Sequence, residues 1–329
     1  MSKRVDGWKL PVLLSQGEPS GIGPEIALKA WTRLRGEIAG HPIHLVGSAG
    51  HFRDVAGRLG LTFRQLESHI IDAGPAINAE PGKPSPRNAS SVTSAIERCV
   101  AACLSGKAAA MVTAPIQKST LSEAGFAFPG HTEYLAQLTG ARQAVMMLAS
   151  ASVRPPIRVV PLTIHIALKD VFRHLDTGGI VATARVILSA LVRDFGIVEP
   201  RLAIAGVNPH AGEDGIMGQE EIEIIAPAIQ ALRKESHEVL GPLSADSMFH
   251  EDARRRYDAA LCMYHDQALI PIKALDFWRG VNVTLGLPIV RTSPDHGTAL
   301  EIAGKGVANE ASMVAAIEMA AEIADRRGP

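Results

Sequence analysis

Residues 10–34, LPVLLSQGEPSGIGPEIALKAWTRL, decide the fold class. An apolar run too short for a helix (10–14) leads through a glycine-rich turn into a segment whose apolar residues recur at helical spacing. Ser20 stands near the helix start and Pro24 suits its first turn. The unit reads as strand, turn and helix, and the alternation repeats along the chain. Further strands are expected at 43–46, 109–113, 145–148, 157–164, 202–207, 259–263 and 281–285. Helices are expected at 24–34, 91–104, 180–195, 220–233 and 312–324. Short apolar strands alternating with longer amphipathic helices predict an α/β protein with a mostly parallel sheet. Residues 74–86, GPAINAEPGKPSP, are too rich in proline and glycine for either element and predict a long surface loop.

The 329 residues suit one large or two smaller α/β domains. A content of 47% hydrophobic and 20% charged residues excludes a disordered chain, and a net charge of −1 provides no broad basic surface for nucleic acid or an anionic membrane. No apolar run approaches the roughly 20 residues of a membrane span. Cys99, Cys103 and Cys262 are odd in number and lack CxxC spacing, which predicts buried thiols in a reducing compartment. The opening MSKRVDGWKL has no apolar signal-peptide core. A cytoplasmic protein is expected.

Three histidines each end an apolar run: VVPLTIH (His165), LAIAGVNPH (His210) and ALCMYH (His265). Each is placed at the carboxyl end of a strand, the edge where open α/β sheets bind ligands. Residues far apart in sequence converge there, and three imidazoles with an open position constitute a catalytic site for a divalent metal. Position alone leaves open the other reading, three hydrogen-bonded structural side chains. His41, His44, His51, His69, His174, His237 and His250 lie in polar or helical settings and are expected at the surface.

The loop GEPSGIGPE (17–25) lacks both the GK[ST] ending of a Walker A loop and the GxGxxG of a Rossmann fingerprint. By itself it is either an anion loop or a tight turn joining strand to helix. Gly130-His131-Thr132-Glu133 opens another helical segment, either as an anion site or as an ordinary start capped by Thr132. Lys273, Asn282 and Arg291 add two cations and an amide suited to a phosphate or carboxylate.

Together with TAPIQKSTLSEAGFAFPGHTEYLA, GVNPHAGEDGIMGQEE, GPLSADSMF, MYHDQALIPIK and GVNVTLGLPIVRTSPDHGTALEIAGKG, these segments closely resemble the 4-hydroxythreonine-4-phosphate dehydrogenase family of vitamin B6 biosynthesis. A deeper similarity, carried by GIGPE and HGTALEIAGKG, is to the isocitrate and isopropylmalate dehydrogenases. The resemblance implies their two-domain fold, which is not a Rossmann fold. Residues 1–140 with 285–329 would form a cofactor-side domain, and 141–284 a domain for dimerisation and the metal. It also implies a homodimer with the active site at the subunit interface.

Carried over residue by residue, the family's metal ligands fall on His165, His210 and His265, and its substrate-binding residues on His131, Thr132, Lys273, Asn282 and Arg291. The cofactor loop contributes His296, Gly297 and Glu301. A carboxylate at Glu301 should repel a 2′-phosphate, which implies NAD rather than NADP, although NADP could be accepted. The metal is one divalent ion per site, with zinc, cobalt, magnesium and manganese as candidates. Asp246 and Asp266 are the candidates for proton acceptor or for support of a ligating imidazole. The implied reaction oxidises C3 of 4-phosphooxy-L-threonine, and the β-keto acid decarboxylates to 3-amino-2-oxopropyl phosphate. Two alternatives stand beside it: a paralogous dehydrogenase for 4-phospho-D-threonate or 4-phospho-D-erythronate, and a metal-dependent hydrolase, which leaves HGTALEIAGKG unexplained.

Overall fold

The computed structural model describes residues 9–328; Met1–Trp8, where a signal peptide would begin, and Pro329 lie outside them. The described chain divides into two compact units, one formed by residues up to Ala144 with those from Leu287 onward, the other by Val145–Gly286. Twelve strands occur among the described residues. They are β1 (Val12–Ser15), β2 (Glu37–Ile38), β3 (His41–Gly47), β4 (Ile70–Asp72), β5 (Ala110–Thr113), β6 (Val145–Ser150), β7 (Ile157–Thr163), β8 (Arg201–Ala205), β9 (Glu238–Leu243), β10 (Ala259–Tyr264), β11 (Val281–Leu285) and β12 (Arg291–Pro294).

The discontinuous unit has the strand order β2-β3-β1-β5-β12, with β4 beside β3. Strands β3, β1, β5 and β12 run parallel, with Ser15 opposite Thr113 and Arg291 opposite Met111. β1 and β5 are buried at every position, as expected for strands covered on both faces. The helix Gly23–Leu34 begins with proline in its first turn and ends where Arg35 turns left-handed at φ 57°. One core of this unit joins Leu13, Val46, Ile96, Cys99, Met111 and Leu135.

The continuous unit has the order β11-β6-β7-β10-β8-β9. β7, β10, β8 and β9 are mutually parallel, whereas β6 runs antiparallel to both β7 and β11. Leu148, Val159, Ala203, Cys262, Leu269 and Ile272 form its core.

The α/β class and the mostly parallel pairing agree with the sequence reading, and four departures have physical causes. β2, β4, β9 and β12 were not expected: β2 and β4 are only two and three residues long, β9 contains Gly241-Pro242, and β12 reads Arg-Thr-Ser-Pro, yet is wholly buried. The helix His265–Leu275 continues through Pro271, which removes one hydrogen bond without ending the element. The expected helix 220–233 is instead a π turn, Glu221–Ile225, followed by the helix Ala226–Lys234. His41 and His51, expected at the surface, are 3% and 5% exposed. Each has polar partners inside: His41 Nδ1 lies 2.6 Å from the Leu10 carbonyl oxygen, and His51 Nε2 donates to the Pro19 carbonyl at 3.1 Å. Cys99 and Cys262 are buried and Cys103 is half-buried. Residues 74–86 form a loop with one bridge, Glu80 to Lys83. No single helix among the described residues is long and apolar enough to cross a membrane.

Candidate active site

The sheet order places the three histidines beyond the carboxyl ends of adjacent parallel strands: His165 after β7, His265 after β10 and His210 after β8. Two ties set the first pair. Thr163 Oγ1 donates to the Met263 carbonyl at 2.8 Å, joining the ends of β7 and β10, and His165 turns left-handed at φ 53°. The His165 and His265 rings face each other with centroids 5.9 Å apart and an interplanar angle of 40°. They line a cavity of about 280 Å³ with Tyr264 and Asp266, closed on the apolar side by Ile166, Leu168 and Val171.

The His265 Nδ1 lies 2.7 Å from Asp266 Oδ1. The carboxylate fixes the proton on Nδ1 and leaves the Nε2 lone pair available, the arrangement that orients an imidazole toward a metal. A metal about 2.1 Å from one nitrogen of each ring sets two centroids on the order of 5–6 Å apart, so this pair fits one ion. His210 does not complete a cluster with them among the described residues. Its charge acts on Asp246, whose carboxyl is held below the usual range by the Ser244 hydroxyl at 2.6 Å and, to a smaller degree, by His210. Among the described residues no three His, Cys, Asp or Glu side chains form a ready ligand set. The structure thus brings together two of the three expected ligands.

The His210 loop is conformationally unusual. His210, Ala211, Gly212, Glu213 and Asp214 all have positive φ, between 43° and 81°. Glu221, 3% exposed and the first residue of the π turn, holds it in place. Its Oε1 accepts from the Val207 and Asn208 amides, and its Oε2 from Asn208 Nδ2 at 2.9 Å. Gln267 joins the neighbouring strands: its Oε1 accepts from the Met263 amide at 2.7 Å and its Nε2 donates to the Gly206 carbonyl at 2.8 Å. Neither Glu221 nor Gln267 was singled out from the sequence, although both lie inside peculiar motifs, GQEE and YHDQ. Lys273 occupies the last turn of the helix His265–Leu275, its ammonium 5.6 Å from the centroid of the Phe277 ring. Asn282 lies in β11 with a buried Oδ1 that has no partner.

In the discontinuous unit, loops from β1, β5 and β12 interlock. The Glu18 amide donates to the Pro115 carbonyl at 2.8 Å, Ile22 N to the Thr298 carbonyl at 3.0 Å, and Thr298 Oγ1 to Gln117 Oε1 at 2.8 Å. Buried Glu25 accepts from the Ala308 amide at 2.9 Å, and Lys29 bridges Glu25 to the carbonyls of Gly306 and Ala308. GIGPE therefore braces the IAGKG segment. His296 sits in that loop with Nδ1 3.1 Å from the Gly297 carbonyl oxygen and Nε2 buried without a partner; Glu301 lies on an exposed 3-10 turn.

Arg291, 3% exposed at the start of β12, donates from Nε at 3.2 Å and Nη2 at 2.6 Å to Thr113 Oγ1. Burial pulls its guanidinium down to about 9, still charged at neutral pH. The imidazole of His131 is held neutral, first by burial and then by the charges of Arg291 and Lys118, and its Nε2 has no partner. The helix cap is Gly130, with no side-chain cap bond, so Thr132 is inside the first turn rather than capping it. Buried positive charge, a neutral imidazole nitrogen and an uncapped helix start suit an anion.

A family model described as pyridoxal phosphate biosynthetic protein PdxA matches residues 41–320. The chain is 50% identical over 325 residues to 4-hydroxythreonine-4-phosphate dehydrogenase of Paracoccus denitrificans (strain Pd 1222), covering 96% of this chain and 98% of that protein. The crystal structure of 4-hydroxythreonine-4-phosphate dehydrogenase from Klebsiella pneumoniae aligns with a TM-score of 0.83 at 36% identity, covering 97% of this chain and 99% of that one. Isocitrate dehydrogenase from Methylococcus capsulatus shares the fold, with a TM-score of 0.50 at 13% identity over 97% of this chain and 87% of that one. The relatives define a dehydrogenase, with an α/β fold shared with isocitrate dehydrogenase. Within it, the chain belongs to the PdxA family of pyridoxal phosphate biosynthetic proteins.

Proposed function

We propose that the chain oxidises 4-phosphooxy-L-threonine at C3 with NAD, and that the resulting β-keto acid decarboxylates to 3-amino-2-oxopropyl phosphate. The observation that carries this reading is the placement of His165, His265 and His210 beyond three adjacent parallel strands, with the first two facing across a cavity. These imidazoles would hold a divalent ion, which when bound supplies Lewis acidity to the reacting hydroxyl and to the charge left by decarboxylation. Asp266 orients His265, and Asp246, beside His210, remains ionised to receive a proton. Arg291, His131 and Thr132, with Lys273 and Asn282, bind and orient the phosphorylated substrate, so that binding energy far from C3 positions the reacting carbon.

The discontinuous unit is the cofactor side, where His296, Gly297 and Glu301 face a nicotinamide cofactor. The buried, unpartnered His296 Nε2 supports a polar ligand there. The continuous unit carries the metal site and the contacts of a homodimer that completes the active site. Exposed apolar side chains support that assembly, among them Ile216 at 80%, Phe277 at 65% and Trp278 at 59%.

NADH formation from the phosphorylated hydroxythreonine, run beside 4-phospho-D-threonate and 4-phospho-D-erythronate with and without added divalent metals, tests the reading. The hydroxythreonine ester should turn over fastest, and chelation should abolish the signal. Faster turnover of a rival acid would assign the chain to a different substrate. A His210→Ala variant with full activity and metal content would remove the proposed ligand set.

A further inference from the structure

Lys118 opens the short helix Lys118–Glu123 that follows β5, within reach of the start of the helix His131–Thr139. A Cβ placed on Gly130, the cap of that second helix, would lie 3.3 Å from Lys118 Cε and 3.4 Å from its Nζ. The lysine stem thus lies across the cap residue, in space that glycine leaves open. The Lys118 amine makes no hydrogen bond or ion pair among the described residues. Glu133, exposed in the first turn of the same helix, brings its carboxylate to the same place, Oε2 lying 3.6 Å from that Cβ position, without an ion pair to the amine among the described residues. Beside the lysine stands a buried imidazole nitrogen, His131 Nε2, with no partner. The charge of Arg291 also acts on that ring.

Two cations and an uncapped helix N-terminus therefore gather around one unsatisfied nitrogen. Exposed Glu133 answers part of that charge, and a phosphate dianion has enough acceptor oxygens to satisfy the donors that remain. We propose that Lys118 is a positioning residue for the substrate phosphate, its ammonium making a further contact beside those of His131 and Arg291. The inference rests on the phosphorylated substrate of the proposed function, and it adds a residue absent from the set read off the sequence. An amine on a flexible stem at an exposed position can follow the anion in and out, whereas the buried guanidinium of Arg291 is fixed.

The test is titration of the whole protein with inorganic phosphate at fixed ionic strength, for the wild type, Lys118→Met, Lys118→Arg and Arg291→Lys, with melting temperature as a check on folding. Steady-state kinetics on the phosphorylated substrate run in parallel. Lys118→Met should weaken phosphate binding about tenfold, as expected for one charge-assisted hydrogen bond lost. It should raise KM by a similar factor while kcat stays within about threefold, and Lys118→Arg should restore most of both. Phosphate affinity and KM unchanged in Lys118→Met, while Arg291→Lys loses both, would make Lys118 a solvated surface cation and leave the proposed function standing. A wild type that neither binds phosphate nor turns over the ester would overturn both.

Discussion

Glu221 receives the backbone amides of Val207 and Asn208 on a single carboxylate oxygen, at 2.7 and 2.8 Å. A buried carboxylate this heavily bonded is what orders the loop bearing His210. Glu221→Gln keeps the size but loses the charge, and its amide nitrogen faces donors. It should lower stability by about 2–3 kcal/mol in urea unfolding. Metal affinity should fall with it, and an unchanged urea midpoint would contradict the anchoring role.

Asp246 and Asp266 should separate in kinetics. Asp266 acts through His265, so Asp266→Asn should lower metal affinity about 10–100-fold and recover activity at high metal concentration. Asp246→Asn should lower kcat about 100-fold or more at saturating metal, the range of general base loss. Rescue of Asp246→Asn by added metal would exchange the two roles.

Burial lowers the pKa of His51 from 6.5 to about 4. The unfolded chain takes up the proton near 6.5 and the folded chain does not, so stability present at neutral pH is lost as pH falls from about 6.5 toward 4. The slope from His51 alone is about 1.4 kcal/mol per pH unit. His44 and His131 are shifted in the same direction and add to it. Denaturation midpoints between pH 7 and 4.5 should show this decline, and His51→Gln should flatten it. A parallel profile in the variant would place the acid sensitivity elsewhere.

Glu213 is exposed and has φ 43°, a conformation that disfavours any side chain. Glu213→Gly should relieve about 1 kcal/mol of backbone strain, offset in part by the greater freedom of glycine in the unfolded chain. A small rise in melting temperature is expected, and a fall of several degrees would mean that the Glu213 side chain is itself needed.

Glu301 should disfavour the 2′-phosphate of NADP. Comparison of kcat/KM should favour NAD by more than about tenfold, and Glu301→Ser should narrow the gap. Equal use of the two cofactors by the wild type would leave the carboxylate without a role in selection.

The alternation of short apolar runs and amphipathic segments was legible because buried parallel strands and their crossover helices differ in period and length. β12 was illegible for the opposite reason. Its side chains Arg291, Thr292 and Ser293 are polar and buried, which no hydrophobic pattern reports. His165 and His265 could be foreseen as neighbours because each ends an apolar run. Glu221 could not, since its role depends on amides 13 and 14 residues earlier that approach only after the chain has turned. His41 and His51 were misplaced because polar side chains enter a core wherever a carbonyl is positioned to receive them, and sequence does not record where carbonyls point.

The bond from Arg291 to Thr113 joins residues 178 positions apart. During synthesis, β5 emerges long before β12, the strand that covers its free side. At about 5–20 residues per second the wait is on the order of ten seconds, while the whole of the continuous unit is made. The nascent chain therefore carries an open sheet margin through that interval. A premature stop before residue 291 would release a polypeptide that lacks Arg291 along with the strand that seals its sheet.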